Sequence, residues 1–510
     1  LRISSTAADG GLSVACYAAT TMPGWKAMVY CVKNGDPEPG AETPETKPNF
    51  TLKVDPSIKV EYDEDGEPKP IYAYLELQGL EDGQNITIEQ NGQKTDYTLS
   101  KTVANSVQLE VEPNDVIKVY GKLRAFKAQA DRLVACELGK NDDLEVLDLM
   151  MNKISELNLT QLPNLRELSV TNNKLTSIDL GNLKKLQQFY GSYNKVGKLD
   201  TSNNPDLEVL ACAAMGLTEL DLSKNAKLEN LTAGKNNYAT FPDLSNKTSM
   251  KWIDMEDCGM KGFDATIFPK LKFLDLSGNR LTNIDLSKNS LLRKLDLDNN
   301  QMDACAINDI LFTLPKVQKE DEATLQIKGN TGSGTCDNTL LEGKNWNMNV
   351  TGDGSGCNTV RLRFEENTQG TFKTIVDGKD IPEWTPIEKG KEVKIEASPI
   401  KGYKLVKTML NGEDVTANKF KIQQYGVLAA VFDVDNGIRD TQAETVRVGR
   451  HNGNIVVMGL QAEKNYSIYD VSGKLLHIGI TNANGDAVIS LPAGHLIIIK
   501  QEHLVIKVRR

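Results

Sequence analysis

The stretch Leu271-Lys-Phe-Leu-Asp-Leu-Ser-Gly-Asn-Arg-Leu281 contains the pattern L-x-x-L-x-L-x-x-N-x-L, which recurs through the middle of the chain. The first leucine of the pattern defines position one of each repeat. It recurs every 21 residues, with a single step of 22, at Leu144, Leu165, Leu186, Leu207, Leu228, Met250, Leu271 and Leu292. A period in this range indicates stacked repeats that each contact only their neighbours. The sequence therefore predicts a solenoid.

The pattern has a physical cause in a short strand followed by a turn. Positions four and six are apolar and alternate with variable residues, which is typical of a strand with one buried face. Position nine lies where the chain leaves the strand, and an asparagine amide can donate to and accept from buried backbone groups there. We therefore predict a structural ladder of stacked asparagines, formed by Asn152, Asn173, Asn194, Asn236, Asn279 and Asn300. Met215 and Cys258 replace the asparagine in two repeats, where we expect weaker rungs.

A second apolar column follows ten residues after position four, at Leu157, Ile178, Leu199, Leu220, Phe241, Phe263 and Ile284. The interior thus has two apolar walls. A coil of 21 residues is too short to include a long helix on its outer side. The predicted fold class is an α/β solenoid that is mostly β, with extended or short-turn structure on the outer side.

These motifs resemble the leucine-rich repeat family over about residues 123–330. The resemblance implies a horseshoe of short 21–22 residue repeats with a concave binding surface. Leu123, Phe126, Ala128, Asp131 and Leu133 resemble a degenerate first repeat. Leu325, Ile327 and Asn330 resemble a last repeat, reached through a predicted short helix at 306–315.

The regions on either side of the repeats read as β structure. We divide the chain into an N-terminal segment and Pro/Glu-rich linker (1–48), an N-terminal β domain that caps the solenoid (49–121), the repeats with a C-terminal cap (122–358), a small β domain (359–436), and a linker with a C-terminal β-sandwich (437–510). Alternating apolar residues and the turn dipeptides Asp82-Gly83 and Asn91-Gly92 support the cap domain.

Both C-terminal regions resemble bacterial surface modules. Val393-Lys-Ile395, Gly402-Tyr403 and Asn411-Gly412 are similar to the small repeat found beside internalin-type leucine-rich repeats, which implies a spacer. Tyr466–Lys474 and Leu491-Pro-Ala-Gly494 resemble the C-terminal sorting domain of type IX secretion in Bacteroidetes, although Leu496 stands where that family often has an aromatic residue. The resemblances together imply an internalin-like surface protein of a Bacteroidetes bacterium.

Composition limits the partners and the location. The formal net charge of −10 argues against nucleic acid as the main partner. No segment has the roughly 18 consecutive apolar residues of a transmembrane helix. The sequence shown starts at Leu1 without a leader, so we expect any secretion signal to have been removed. We expect an extracellular or outer-membrane cell-surface location and a monomer.

The eight cysteines fall into two groups. Cys136, Cys212, Cys258 and Cys305 occupy core positions of the repeats and are interpreted as small buried residues. Cys16 with Cys31, and Cys336 with Cys357, are candidate local disulfides in an oxidising compartment.

The repeats lack the residues that catalysis commonly uses. All four histidines, His451, His477, His495 and His503, lie in the C-terminal region. A Ser-His-Asp or Cys-His site on the solenoid is therefore not expected. No nucleotide-binding glycine motif follows a strand. We predict no enzyme activity, no cofactor and no metal site.

The predicted ligand site lies on the concave face, to which positions three, five, seven and eight project. The candidate residues are Tyr190, Tyr193, Trp252, Asp254, Glu256, Phe273, Asp275 and Asp296. The register predicts that Trp252 neighbours Phe273 and that the three aspartates form a row. An acidic row is typical of a basic partner, of a weakly held Ca²⁺ ion, or of a merely solvated face. A protein ligand from the host or another bacterial surface is the favoured partner. Glycan capture is the alternative, and a structural spacer is the second alternative.

Overall fold

The computed structural model describes residues 2–5, 14–18, 29–33, 47–65, 67–129, 132–415, 418–434, 447–451, 454–458, 460–470, 474–484, 486–489, 496–501 and 504–509. The chain forms two compact units, Leu1–Cys357 and Asn358–Arg510.

The first unit begins with β strands that precede the regular repeats. They are β1 (Arg2–Ser5), β2 (Val14–Ala18), β3 (Val29–Lys33), β4 (Phe50–Val54), β5 (Tyr72–Gln78), β6 (Gln84–Gln90), β7 (Gln93–Leu99), β8 (Asn105–Glu110), β9 (Val116–Tyr120), β10 (Ala125–Ala128) and β11 (Leu133–Leu138). Strands β1, β2 and β3 form one antiparallel sheet, and β11, β4, β9, β6 and β7 form another in that order.

Each repeat contributes a three-residue strand that begins at position three. The strands are β12 (Val146–Asp148), β13 (Glu167–Ser169), β14 (Gln188–Tyr190), β15 (Val209–Ala211), β16 (Asn230–Thr232), β17 (Trp252–Asp254), β18 (Phe273–Asp275) and β19 (Lys294–Asp296), followed by β20 (Thr324–Gln326) and β21 (Asn347–Met348). Parallel pairing joins identical positions of neighbouring repeats, as in Leu274 beside Ile253 and Leu295. The predicted parallel sheet and its register are confirmed.

The cap domain and the repeats share one sheet. Strand β10 pairs in parallel with β12 and antiparallel with β5, and β5 pairs with β8. The five-stranded sheet packs against this shared sheet. At their contact, Phe50 of β4 and Phe126 of β10 stack with ring centroids 4.1 Å apart. The open end of the repeat stack is thereby covered, as solenoid ends must be to hide core and unpaired strand edge.

The outer side of the repeats consists of turns and extended segments, and described residues 139–303 contain no helix. Helix α1 (Ala304–Thr313) follows the last regular repeat and is capped by the Asp303 side chain. Two short 3₁₀ helices, Lys319–Asp321 and Asn338–Leu341, complete the C-terminal cap. The fold is a mostly β solenoid, as predicted.

The position-nine asparagines are buried and bonded to the backbone of two turns. Asn173 Nδ2 donates to the carbonyls of Leu149 and Val170 at 2.8 and 3.0 Å, and its Oδ1 accepts from Ile154 N–H at 3.0 Å. Equivalent bonds are made by Asn152, Asn194, Asn236, Asn279, Asn300 and Asn330. Each rung therefore ties three segments of chain together.

The neighbouring asparagine compensates for the two missing rungs. Asn236 Oδ1 accepts from both Met215 N–H and Leu217 N–H, at 3.1 and 3.0 Å. Asn279 Oδ1 likewise accepts from Cys258 N–H at 3.2 Å and from Met260 N–H at 2.9 Å. The backbone groups at these turns are thus paired within the protein.

The structure corrects one of the two predicted disulfides. Cys357 is bonded to Cys305, and Cys336 is a free, buried thiol, so the predicted Cys336–Cys357 pair is wrong. The interpretation of Cys305 as a small buried core residue is also wrong, because Cys305 is half-buried at the start of α1 and is disulfide-bonded to Cys357. Cys16 and Cys31 face each other in the register of β2 and β3, and their side chains lie outside the described part of the structure.

The second unit is all β in its described residues. Its first strands are β22 (Thr359–Val360), β23 (Leu362–Phe364), β24 (Gly370–Val376), β25 (Lys379–Ile381), β26 (Ile387–Glu388), β27 (Glu392–Pro399), β28 (Tyr403–Leu410), β29 (Glu413–Asp414), β30 (Lys419–Lys421) and β31 (Gly426–Val434). They pair as β22-β26, β23-β31-β28-β29 and β25-β24-β27-β30.

The last strands pair only with one another among the described residues. They are β32 (Arg447–His451), β33 (Asn454–Met458), β34 (Asn465–Asp470), β35 (Leu475–Ile480), β36 (Ala487–Ile489), β37 (Leu496–Gln501) and β38 (Leu504–Arg509), in sheets β32-β33-β36 and β35-β34-β37-β38. Asp131, Val471–Gly473 and Leu491–Gly494, on which three of the resemblances partly rest, lie outside the described residues. The domain limits within the chain remain predictions.

Replacing Asn173 by alanine tests the ladder. The change leaves the buried Ile154 N–H without its partner and removes one of the two amide donors to the carbonyls of Leu149 and Val170, which costs about 1–3 kcal/mol of unfolding free energy. Denaturant unfolding followed by circular dichroism measures this difference. Asn203→Ala is the matched control because Asn203 is exposed, and it should leave stability unchanged. Equal stability of the two variants would contradict a structural ladder.

Candidate functional site

The candidate site lies on the side of the sheet that carries positions three and five, which we call the concave face. Position four of every regular repeat is buried in the core, as Ile253 and Leu274 show. Positions three and five therefore point to the opposite side of the strand. The single register brings equal positions of successive repeats side by side.

Trp252 and Phe273 form the aromatic part of the face. They occupy position three of β17 and β18, and their rings stack with centroids 3.5 Å apart and planes inclined by 6°. Trp252 keeps 41% of its surface exposed despite this contact. An exposed tryptophan held flat by a neighbouring ring is preorganised for contact with a partner, since such residues often dominate binding energy.

Asp254, Asp275 and Asp296 form a row at position five, one strand apart. Burial raises the pKa of Asp254 and of Asp296 to about 6, with a smaller contribution from the neighbouring carboxylate of Asp275. Burial also raises the pKa of Asp275. Three half-buried carboxylates in line make this face costly to keep charged, and a cation laid across them would relieve that cost.

The aspartates also have a structural role. Each Oδ1 accepts the backbone N–H two residues later: Glu256 N–H on Asp254 at 3.2 Å, Ser277 N–H on Asp275 at 2.9 Å and Asp298 N–H on Asp296 at 3.0 Å. These bonds hold the turn that leaves the strand. One oxygen of each aspartate is thus committed to the fold, and the described residues contain no group of three or more ligands arranged for a metal ion.

Charged residues at positions seven and eight border the row. Glu256 pairs with Lys235 of the preceding repeat at 2.8 Å. Asp257 at position eight is exposed and has a positive φ of 51°. The face around Trp252 is therefore a mixture of aromatic, acidic and basic groups.

The structure does not bring the two tyrosines to the aromatic stack. Tyr190 lies on β14, three strands from β17 and thus roughly 14 Å away by strand spacing. Its hydroxyl donates to Gln188 Oε1 at 2.8 Å, and the ring is half-buried. Tyr193 is 50% exposed. The hydrogen bond to Glu256 raises the pKa of Lys235, and Tyr193 makes only a small further contribution.

Two features of the face were missed from the sequence. Position eight adopts positive φ in repeat after repeat, for example at Tyr193 and Lys235, and its frequent Asn, Asp and Gly residues are the signal for this. Position two becomes basic in three successive repeats, at Lys251, Lys272 and Arg293. Lys251 pairs with Glu229, and Arg293 pairs with Asp321 at 2.8 Å.

The repeats are leucine-rich repeats: the family model described as Leucine Rich Repeat matches residues 164–186 and 270–290. The fold is therefore a leucine-rich repeat solenoid. No curated protein matches the chain.

Several solved leucine-rich repeat structures are similar to the chain. The functional domain of InlJ from Listeria monocytogenes is 20% identical, with a TM-score of 0.37, and the match covers 66% of this chain and 64% of that one. The internalin InlF from Listeria monocytogenes is 18% identical, with a TM-score of 0.29 and coverage of 44% and 86%. The leucine-rich repeat domain of APL1B is 20% identical, with a TM-score of 0.27 and coverage of 32% and 57%. The chain thus spans just under two thirds of the InlJ structure.

Replacing Asp254 by asparagine should stabilise the protein at neutral pH. A carboxylate whose folded pKa is about 6 binds its proton more tightly in the folded state, so its contribution to stability falls as pH rises from about 4 to 6. Asparagine keeps the Oδ1 acceptor for Glu256 N–H and removes the charge. Discounted for partial exposure, the gain at pH 7.5 is about 1 kcal/mol or less, and it shrinks towards pH 4.

Thermal unfolding of both proteins across this pH range measures the effect. Asp264→Asn is the control because Asp264 is exposed and makes an equivalent backbone bond to Thr266 N–H at 3.0 Å. A stabilisation by Asp254→Asn that does not change with pH would contradict the assignment.

Proposed function

We propose that this chain is a secreted or cell-surface interaction protein that binds a protein ligand on its concave face. The exposed stack of Trp252 on Phe273 beside Asp254 and Asp275 carries this proposal. The stack supplies a rigid apolar anchor, and the aspartates supply complementary charge for a basic side chain of the partner. The chain acts as a monomeric binding module without catalytic chemistry or a cofactor.

The composition of the face favours protein over sugar at this position. A sugar site is typically a small group of aromatics flanked by amides and other neutral hydrogen-bonding groups. One amide, Asn230 of β16, lies beside Trp252, but the other groups around the stack are the exposed Lys294 of β19 beside Phe273 and the row of carboxylates at position five. A mixed, charged rim around an aromatic centre is typical of protein interfaces.

The disulfide and the C-terminal resemblance support a location outside the cytoplasm. The Cys305–Cys357 disulfide suits an oxidising compartment. In the described part of the chain, no helix has the length and apolar character needed to cross a membrane. The resemblance of residues 437–510 to type IX sorting domains supports export and attachment to the surface of a Bacteroidetes cell, with residues 359–436 as a spacer.

The function is tested by the exposed tryptophan. The full chain is screened against arrays of secreted protein domains and of glycans, and the affinity of each hit is measured for Trp252→Ala. We expect a protein hit whose binding weakens by about 2 kcal/mol or more, because the anchor is lost. Phe241→Ala is the matched control, because Phe241 is 37% exposed but belongs to the second apolar column and not to the concave face.

Removing one carboxylate of the row provides a second test in the same binding experiment. Asp275→Asn should weaken binding, and added salt should reduce the difference, while Asp264→Asn should have no effect. A protein hit that survives both Trp252→Ala and Asp275→Asn would exclude the concave face. Glycan hits that weaken with Trp252→Ala, in the absence of any protein hit, would replace the protein ligand by the alternative function.

Export is tested separately by deleting residues 446–510. The truncated chain should fail to appear on the cell surface, while its repeats stay folded because solenoid contacts are local. Surface labelling of the native cells measures display, and circular dichroism of the purified truncated protein checks folding. Unchanged display of the truncated chain would remove the sorting role from this region.

A further inference from the structure

A cavity lies at the other end of the same sheet, on the cap domain. It has a volume of about 450 Å³ and is lined on one side by Tyr72 and Tyr74 of β5. These tyrosines alternate with Ala73 and Leu75, which are fully buried, so both rings project from the open side of the strand. Tyr72 is 39% exposed and Tyr74 is 53% exposed.

The rings of Tyr72 and Tyr74 are neighbours and are inclined to each other. Their centroids are 6.3 Å apart and their planes are inclined by 53°. Aromatic faces in such an arrangement offer apolar contact to two successive rings of a ligand that is not flat. The positions are fixed by pairing of β5 with both β8 and β10.

Cationic residues form another part of the lining. Lys59 and Lys69 lie in the loop between β4 and β5. A backbone hydrogen bond from Lys69 N–H to Glu61 C=O at 2.7 Å joins two parts of this loop. Arg132 comes from the segment before β11. Among the residues the structure describes, none of these three cations forms an ion pair, and Glu61 is the one carboxylate in the lining.

The lining of the cavity is positively charged, whereas the chain as a whole has a formal net charge of −10. Like charges that line one cavity repel one another, so an anionic ligand would stabilise the cluster. The cavity is therefore complementary to a negative ligand, whereas the face around Trp252 is complementary to a positive one.

Gln129 adds an amide to the cavity. It follows β10, and its Nε2 donates to Asp148 Oδ2 of β12, which fixes the side chain in the continuous sheet. The amide oxygen remains available to accept a hydroxyl hydrogen. Exposed aromatic faces, a neutral amide and cations together match the groups of a charged sugar chain.

We propose that this cavity binds an acidic oligosaccharide. The faces of Tyr72 and Tyr74 contact the apolar faces of the sugar rings, Gln129 accepts a hydroxyl, and Lys59, Lys69 and Arg132 pair with carboxylate or sulfate groups. An acidic peptide would satisfy the cations but would leave the two tyrosines and the amide without a role. The site is independent of the ligand proposed for Trp252.

The test uses the full chain and four probes in isothermal titration calorimetry. They are oligogalacturonate, a heparin-derived oligosaccharide, a neutral maltooligosaccharide of similar length and oligoglutamate. We expect one of the two acidic sugars to bind, more weakly as salt rises, and the neutral sugar not to bind. The arm that binds distinguishes a carboxylated sugar from a sulfated one.

Variants assign the binding to the cavity. Tyr74→Ala should weaken acidic-sugar binding about tenfold, as loss of an aromatic anchor does, with Tyr62→Ala as the exposed control outside the cavity. Lys59→Gln with Lys69→Gln should also weaken it, and Lys261→Gln with Lys270→Gln controls for the same change in net charge. Trp252→Ala should leave it unchanged, which separates this site from the concave-face ligand.

Three results would overturn the proposal. One is the absence of binding by both acidic sugars. Another is oligoglutamate binding that equals sugar binding and is insensitive to Tyr74→Ala, which would assign an anionic peptide. The third is equal loss of sugar binding in the control variants.

Discussion

Every turn of the solenoid places backbone N–H and C=O groups in its interior, and the position-nine asparagine is the group that pairs them. Buried backbone groups without a partner each cost on the order of 1–3 kcal/mol, so a stack of short turns could not be stable without this side chain. Because each amide spans two turns, as Asn173 does between Leu149 and Ile154, it also sets the step from one turn to the next. The sheet, its register and the alignment of the concave face all depend on that step.

The constant step from one turn to the next produces two features of the candidate site, an aromatic stack and a row of carboxylates. It places Trp252 flat on Phe273, and it also places Asp254, Asp275 and Asp296 one strand apart. The aromatic contact stabilises the fold, whereas burial of the carboxyls, with a smaller contribution from Asp275 to its two neighbours, raises their pKa and opposes folding at neutral pH. Repeats without such a row, such as the one with Ala211 at position five, show that the fold does not require it.

Residues with a period could be predicted, and residues without one could not. The strands and the Trp252–Phe273 contact follow from spacing alone. By contrast, a second set of buried asparagines, Asn204, Asn225 and Asn289, bonds the outer turns, yet Leu183 and Phe268 occupy the same place in other repeats. Because this position is apolar in some repeats and asparagine in others, the sequence shows no repeating residue type from which its role could be predicted.

Contacts between distant segments were hidden for a related reason. Cys305 fits the apolar column, so nothing in its spacing distinguished it from a core residue, and its pairing depends on how α1 follows the last repeat. Strand β21 has only two residues and therefore no alternation to recognise. The cavity of the cap joins Lys59, Lys69, Tyr72 and Tyr74 to Gln129 and Arg132, and its chemistry exists only once β5 lies beside β10.

The Cys305–Cys357 bond has a mechanical consequence. Cys357 is the last residue of the first unit, so tension carried along the backbone from the second unit enters the first unit at this residue. The disulfide passes that tension directly to Cys305, beside the last regular repeat, and the loop of sequence separation 52 carries none of it. In the reduced protein the same loop would be in series with the load and could extend by roughly 170–190 Å. A single covalent bond thus determines whether the C-terminal cap acts as a rigid coupling or as an extensible tether.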